Sequence, residues 1–202
     1  MHFFYVFLIA LANNVDNIGV RIAYSIRGIK IDISKNLWIS IITFIISSLS
    51  ALSGTFIASI LSKRIGAILS MLILTTIGFW IILEPFSKVK KTKNDTVKNK
   101  NLICNILENP ESADIDDSKD IDFREATFLA IALSINNIGG SLSAGIIGLN
   151  SYFIGAFSAA LSFIALWSGN YLAIFLNRYN IGNKAIIISG VILIIIGIKQ
   201  VF

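Results

Sequence analysis

Cysteine, histidine and proline are nearly missing from this chain, which has one Cys, one His and two Pro in 202 residues. Cys104 alone cannot close an intrachain bridge, so a disulfide-framed scaffold is excluded and the residue reads as a free thiol in a loop. His2, at the outer end of the first apolar run, leaves no imidazole set for zinc or copper. Charge is also scarce: charged residues make up 14% against 55% hydrophobic, with a mean hydropathy of +0.77. A soluble domain of this length could not cover so much apolar surface, so the composition is that of a polytopic membrane protein. The phosphate-cradling string G-x-x-x-x-G-K-[ST] is missing, which excludes direct ATP drive within the chain. The apolar runs hold no paired carboxylates, zinc-ligand set or Ser–His arrangement, so the chain is not read as an enzyme.

What is present is six apolar runs, near residues 3–26, 37–61, 65–83, 126–147, 152–176 and 185–202. Each is long enough to cross about 30 Å of hydrocarbon, which takes about 20 helical residues. The expected fold is all-α and membrane-integral, with six transmembrane helices. The first run lacks a basic start and is polar at its centre, so it is expected to remain in the mature protein. A pI near 9.4 would point to nucleic acid in a soluble protein. Here the loops explain it, and no nucleic-acid partner is expected. Fourteen of the 17 Lys and Arg residues fall on one side, after the first, third and fifth runs or, for Arg21, near the end of the first; only Lys63, Arg64 and Lys199 lie on the other side. Positive charge marks the cytoplasmic face. Both termini are therefore expected outside a plasma membrane, with the long loop 84–125 cytoplasmic and lipid as a partner.

Asp16 stands inside the first run, in the string N-N-V-D-N-I-G. An ionisable group at bilayer depth is expensive, which makes it a functional-site candidate. The string returns 120 residues later as S-I-N-N-I-G, Ser134 to Gly139. At that offset Ala10, Ala12, Asn17, Ile18, Gly19, Ile26 and Gly28 meet identical residues, and small residues of the second run recur at an offset of 115. The chain thus divides into a first three-helix repeat, 1–83, a loop, 84–125, and a second three-helix repeat, 126–202. An odd number of spans per repeat makes the second copy enter from the opposite face, giving two inverted repeats.

Helical spacing puts Asn13, Asp16, Asn17, Val20 and Tyr24 on one face, and Ser134, Asn137 and Ser141 on another, with Asn136 pointing elsewhere. Carboxylate and carboxamide oxygens suit a hard divalent cation such as Mg2+, Ca2+ or Mn2+. The candidate transport site is Asp16, Asn13, Asn17, Asn136, Asn137 and Ser134. Gly19, Gly139 and Gly140 are expected to loosen the helices there and free backbone carbonyls. Arg21 lies roughly 140° around the helix from Asp16; it is expected to snorkel to the headgroups instead of pairing with it.

The loop changes character abruptly. Lys88 to Lys100 form a basic, lipid-headgroup-facing stretch, and Leu102 to Leu107 a short apolar turn. Asp114 to Glu125, D-I-D-D-S-K-D-I-D-F-R-E, then has the twelve-residue spacing of an EF-hand calcium loop. Asp114, Asp116 and Ser118 take its first, third and fifth positions, the Asp120 carbonyl its seventh, Asp122 its ninth and Glu125 its twelfth. This segment is expected to bind Ca2+ or Mn2+, although Lys119 replaces the sixth-position glycine. Read without a metal, Asp122 and Glu125 have capping-box spacing in an acidic linker.

The duplicated A-L-(A/S)-x-x-(D/N)-N-I-G core and six short spans resemble the manganese efflux pump MntP family, in particular its sporulation membrane protein branch, YtaF. The resemblance covers essentially the whole chain. It implies a divalent cation transporter that moves Mn2+ out across the plasma membrane, with Mn2+ as substrate. It also implies an aspartate in both motifs, and Asn136 stands where the second is expected. A second reading is a sporulation-associated membrane protein that keeps the fold without transport.

Overall fold

The computed structural model describes residues 2–88, 102–108, 110–179 and 181–199. Four long helices and part of a fifth meet the length and hydropathy needed to cross a bilayer. They are α1 (His2–Arg27), α2 (Ile33–Ile60), α3 (Lys63–Lys88), α5 (Phe123–Ile146) and, over its first 18 residues, α6 (Ser151–Tyr179). A short helix α4 (Leu102–Glu108) and a 3-10 turn (Pro110–Ala113) precede α5, and α7 (Ile181–Ile198) follows α6. The sixth expected span corresponds to α7. Most of the basic stretch expected at Lys88–Lys100 lies outside the described residues.

The helices are built the wrong way round for water. On α2, Leu37, Ile41, Ile45, Leu49, Leu52, Phe56 and Ile60 are exposed at steps of three or four, while Asn36, Ser40, Thr43, Ser47 and Gly54 are buried. In a bilayer the apolar stripe meets lipid at no cost, and small residues let helices approach closely enough for dispersion and hydrogen bonds to hold them. A side-chain carbon on Gly54 would strike the Leu142 carbonyl, and one on Gly145 the Ala51 carbonyl, so α2 and α5 touch backbone to backbone. Gly78 of α3 and Gly190 of α7 make the same kind of contact, each 2.6 Å from the other's carbonyl oxygen at its missing Cβ.

Neighbour pairs fix the helix directions. Asn13 lies against Gly140 while Asp16 meets Asn136, so α1 and α5 run antiparallel. Asn36 bonds the Phe163 carbonyl and Ser48 meets Gly155, so α2 and α6 are antiparallel too. In α3 and α7, Leu74 adjoins Gly197 and Gly78 adjoins Gly190, again antiparallel. By contrast α2 and α5 run parallel, with Trp38 bonded to Thr127 at one end and Ala51 against Gly145 at the other.

The first helix of each half ends in the same way. Gly28 and Gly148 adopt φ of 75° and 80°. Behind them Ile29 N–H donates to the Tyr24 carbonyl at 2.9 Å and Leu149 N–H to the Ala144 carbonyl at 3.0 Å. A left-handed residue and a six-to-one bond close an α-helix without orphaned carbonyls, and glycine does this without steric cost.

Three expectations change. Helix α2 begins at Ile33, four residues earlier than expected from the apolar run, and α5 at Phe123, where Asp122 caps it. Arg21 does not snorkel outward: only 3% of it is exposed, beside the buried ring of Tyr24. Nor do Gly19, Gly139 and Gly140 loosen anything, since α1 and α5 continue unbroken through them. Each keeps an N–H for the ladder, and α5 packs on so many neighbours that 67% of its span is buried.

Candidate functional site

At the crossing of α1 and α5 the carboxamides converge. Asn136 Nδ2 donates to Asp16 Oδ2 at 2.5 Å, joining the two copies of the motif. Asp16 is half-buried and its Oδ1 accepts the Asn17 backbone N–H at 3.0 Å. On the buried side of α1, Asn17 Nδ2 donates to Asn14 Oδ1 at 3.1 Å and to Ser162 Oγ at 3.0 Å. Asn137 Nδ2 reaches the same Asn14 oxygen at 3.4 Å, and Asn13 Nδ2 reaches the Asn137 carbonyl at 3.5 Å. Ser134 is set aside from this group: its Oγ donates to Thr43 Oγ1 at 3.3 Å, tying α5 to α2. Gly140 makes room, because a Cβ there would overlap the Asn13 carboxamide.

Donors in this cluster are better satisfied than acceptors. Asn13 Oδ1, Asn17 Oδ1 and Asn137 Oδ1 are all buried and accept no hydrogen bond among the described residues. A buried acceptor left without a partner costs about 1–3 kcal/mol. Three such oxygens on the helices that carry Asp16 and Asn136 are acceptors that a hard cation or a further donor would satisfy.

The structure gathers five of the six residues expected at the transport site into two groups: Asp16 with Asn136, and Asn13, Asn17 and Asn137 around Asn14. Ser134 faces α2 instead. Helical spacing had turned Asn136 away from the site. It does diverge from Asn137, and that divergence is what lets it reach Asp16. Asn14 and Ser162 are members that the sequence reading passed over. Asn14 sits three residues before Asn17, a spacing that could have found it; Ser162 was visible only as part of a small-residue stripe. A cleft of about 510 Å3 opens at the opposite end of α1 and α5 from the acidic loop, lined by Tyr5, Ser62, Gly66, Ile146 and Lys199 among others, and it includes none of these residues.

The acidic loop forms a second cluster. One carboxylate oxygen each from Asp114, Asp116 and Glu125 lies within 4.8 Å of the other two. Asp114 Oδ2 accepts the Lys119 N–H at 3.1 Å, and Glu125 Oε1 accepts the Ile115 N–H at 2.7 Å. Asp116 Oδ1 accepts the Ser118 N–H at 3.0 Å, and the Ser118 hydroxyl reaches the Asp120 carbonyl at 2.9 Å. Hydrogen bonding from Ser118, side chain first and then backbone, holds the Asp116 carboxyl below its ordinary value. The capping box is also real: Asp122 Oδ1 accepts the Glu125 N–H while Glu125 Oε2 accepts the Asp122 N–H. So Asp114, Asp116 and Glu125 converge. Asp122 caps α5, and the Asp120 carboxylate turns away toward Lys35 Nζ at 3.7 Å.

The segment is exposed over residues 115–120 but anchored at both edges. Ile121, Ala113 and Ile106 are buried with Ile29, Tyr24 and Leu129 in one apolar cluster. Lys30 N–H donates to the Lys119 carbonyl at 2.9 Å and Ile121 N–H to the Lys30 carbonyl at 3.1 Å, strapping the loop to the α1–α2 connection.

The family model described as “Putative manganese efflux pump” (Mntp) matches residues 65–201, more than half of the chain. The “Probable sporulation protein YtaF” of Bacillus subtilis (strain 168) is 29% identical over 202 residues, covering 96% of each chain. No solved structure matches the chain.

Proposed function

This chain belongs to the Mntp family, described as “Putative manganese efflux pump”, and from that premise we propose that it is a divalent cation transporter that moves Mn2+ out across the plasma membrane. The observation that carries the proposal is the contact between Asp16 and Asn136 in the middle of two antiparallel helices, with three buried acceptor oxygens unmatched on the same two helices. The oxygen-only donor set accounts for a hard cation, and the family accounts for manganese. To admit an ion, the Asn136 amide turns so that its Oδ1 replaces Nδ2, and Asp16 exchanges a hydrogen bond for the metal. Asn13, Asn17 and Asn137 are placed to add carboxamide oxygens.

Two inverted three-helix repeats, 1–83 and 126–202, joined by loop 84–125, provide the frame for alternating access. The antiparallel pairing of α1 with α5, α2 with α6 and α3 with α7 supports this arrangement, as do the twin caps at Gly28 and Gly148. Each half then alternately opens the central site to one face by rocking against the other. The excess of Lys and Arg in the 84–125 loop and its neighbours supports a cytoplasmic position for them, with both termini outside.

Cells producing this chain should accumulate less Mn2+ than cells without it under a manganese load; equal accumulation would contradict the proposal. A second reading, a sporulation membrane protein without transport, draws on one feature: Asn136 leaves a dication facing a single carboxylate. Asn136→Asp separates the two. A marked rise in efflux identifies a transporter tuned down by the asparagine, whereas no efflux from either form favours the non-transporting reading.

A further inference from the structure

We propose that the 114–125 loop is a calcium site that pins the start of α5 to the α1–α2 connection. Its oxygens come from Asp114, Asp116 and Glu125. The proposal stands apart from the membrane motif and does not depend on transport.

The observation that points to a ligand is Asp114. The residue is 8% exposed, and its Oδ1 is buried with no hydrogen-bond partner. Three carboxylates are thus gathered, one of them buried with an unmatched oxygen, an arrangement whose repulsion a dication removes.

The spacing fits calcium. Oxygens held 2.3–2.6 Å from Ca2+ stand at most about 4.6–5.2 Å from one another, and the three carboxylate oxygens fall within 4.8 Å. Magnesium, at about 2.0–2.1 Å and strictly octahedral, needs a tighter cage. Each carboxylate oxygen has two lone pairs, so the N–H bonds to Glu125 and Asp116 leave capacity for a metal. The sixth-position objection is also met: Lys119 adopts φ of 63° despite having a side chain, as Asp117 does at 56°. A side chain in that region is strained, so the turn is made at the expense of affinity.

The site's position gives it a consequence. Lys119 and Ile121 bond Lys30 at the end of α1, and Glu125 lies in the first turn of α5. These are the two helices that carry Asp16 and Asn136. A cation here ties them together at one membrane face.

Trp38 reports on that end of α5, through its bond to Thr127 at 3.0 Å and its edge contact with the Phe123 ring. The full chain, reconstituted in nanodiscs with Trp80 and Trp167 replaced by Phe, is titrated with Ca2+ alone and followed by Trp38 emission and by calorimetry. The expected result is a saturable response that survives in Asp16→Asn and needs at least ~10-fold more Mg2+. The paired change Asp114→Asn and Asp116→Asn, which keeps the backbone bonds, should weaken it at least ~10-fold. Asp117→Asn, equal in charge to either single change, should alter it less than ~2-fold, and Lys119→Gly should tighten it several-fold. Absence of a saturable response at millimolar Ca2+ would overturn the proposal. So would a response indifferent to the paired change, or one abolished by Asp16→Asn, which would place the ion at the membrane motif.

Discussion

At the scale of single residues, the membrane motif is a problem of matching oxygens to donors. Asn14 supplies the shared acceptor for Asn17 and Asn137, and Asn13 occupies space that only glycine at 140 leaves open. Gly140→Ala would bring a Cβ to 2.7 Å from Asn13 Cγ, and crowding of this kind costs about 1–3 kcal/mol. A lower unfolding temperature in detergent, together with reduced Mn2+ efflux, is the expected outcome; thermal melts and a transport assay on the same preparation check it. Asp16, Asn13, Asn17, Asn136 and Asn137 stand out as candidates in the sequence because a charge and carboxamides in an apolar run have no cheap explanation in lipid. Asn14 was not singled out, since helical spacing counted from Asp16 leaves it off the favoured face. Arg21 was misjudged because a long cationic side chain near a helix end usually reaches the headgroups, and here the acidic loop and Tyr24 cover that end instead.

At the scale of elements, helix ends and helix contacts decide the positions of these residues. The twin glycines were visible as an offset of 120, and they end α1 and α5 in the same left-handed cap. The segment 114–125 was legible as a spacing of acids, but not as packed structure. Its anchoring depends on Ile121, Ala113 and Ile106 meeting α1 and α5, contacts between residues far apart in the chain that no local pattern reveals. Ile121→Ala removes a fully buried side chain, and such truncations cost about 2–5 kcal/mol. The strap between Lys30 and Ile121 should loosen. Hydrogen exchange should quicken at the amides of residues 113–125 while the middle of α5 stays protected; uniform protection across both would count against a separately held loop.

At the scale of the whole molecule, composition already announced a lipid-embedded bundle, and an outward apolar stripe with an inward small-residue stripe on α2 bears that out. Which helices pair was not legible, because glycine stripes say that a close approach occurs and not with what. The proposed topology predicts that cysteines introduced near residue 3 and at Asp117 are labelled from opposite faces of the membrane; labelling of both from one face would reverse it. Asp16 governs the central claim, since the Mn2+ path needs its carboxylate where α1 crosses α5. The most direct test is Mn2+ efflux from cells producing equal, membrane-inserted amounts of the wild-type chain and Asp16→Asn. The account predicts efflux with the first and none with the second; undiminished efflux by Asp16→Asn would contradict it.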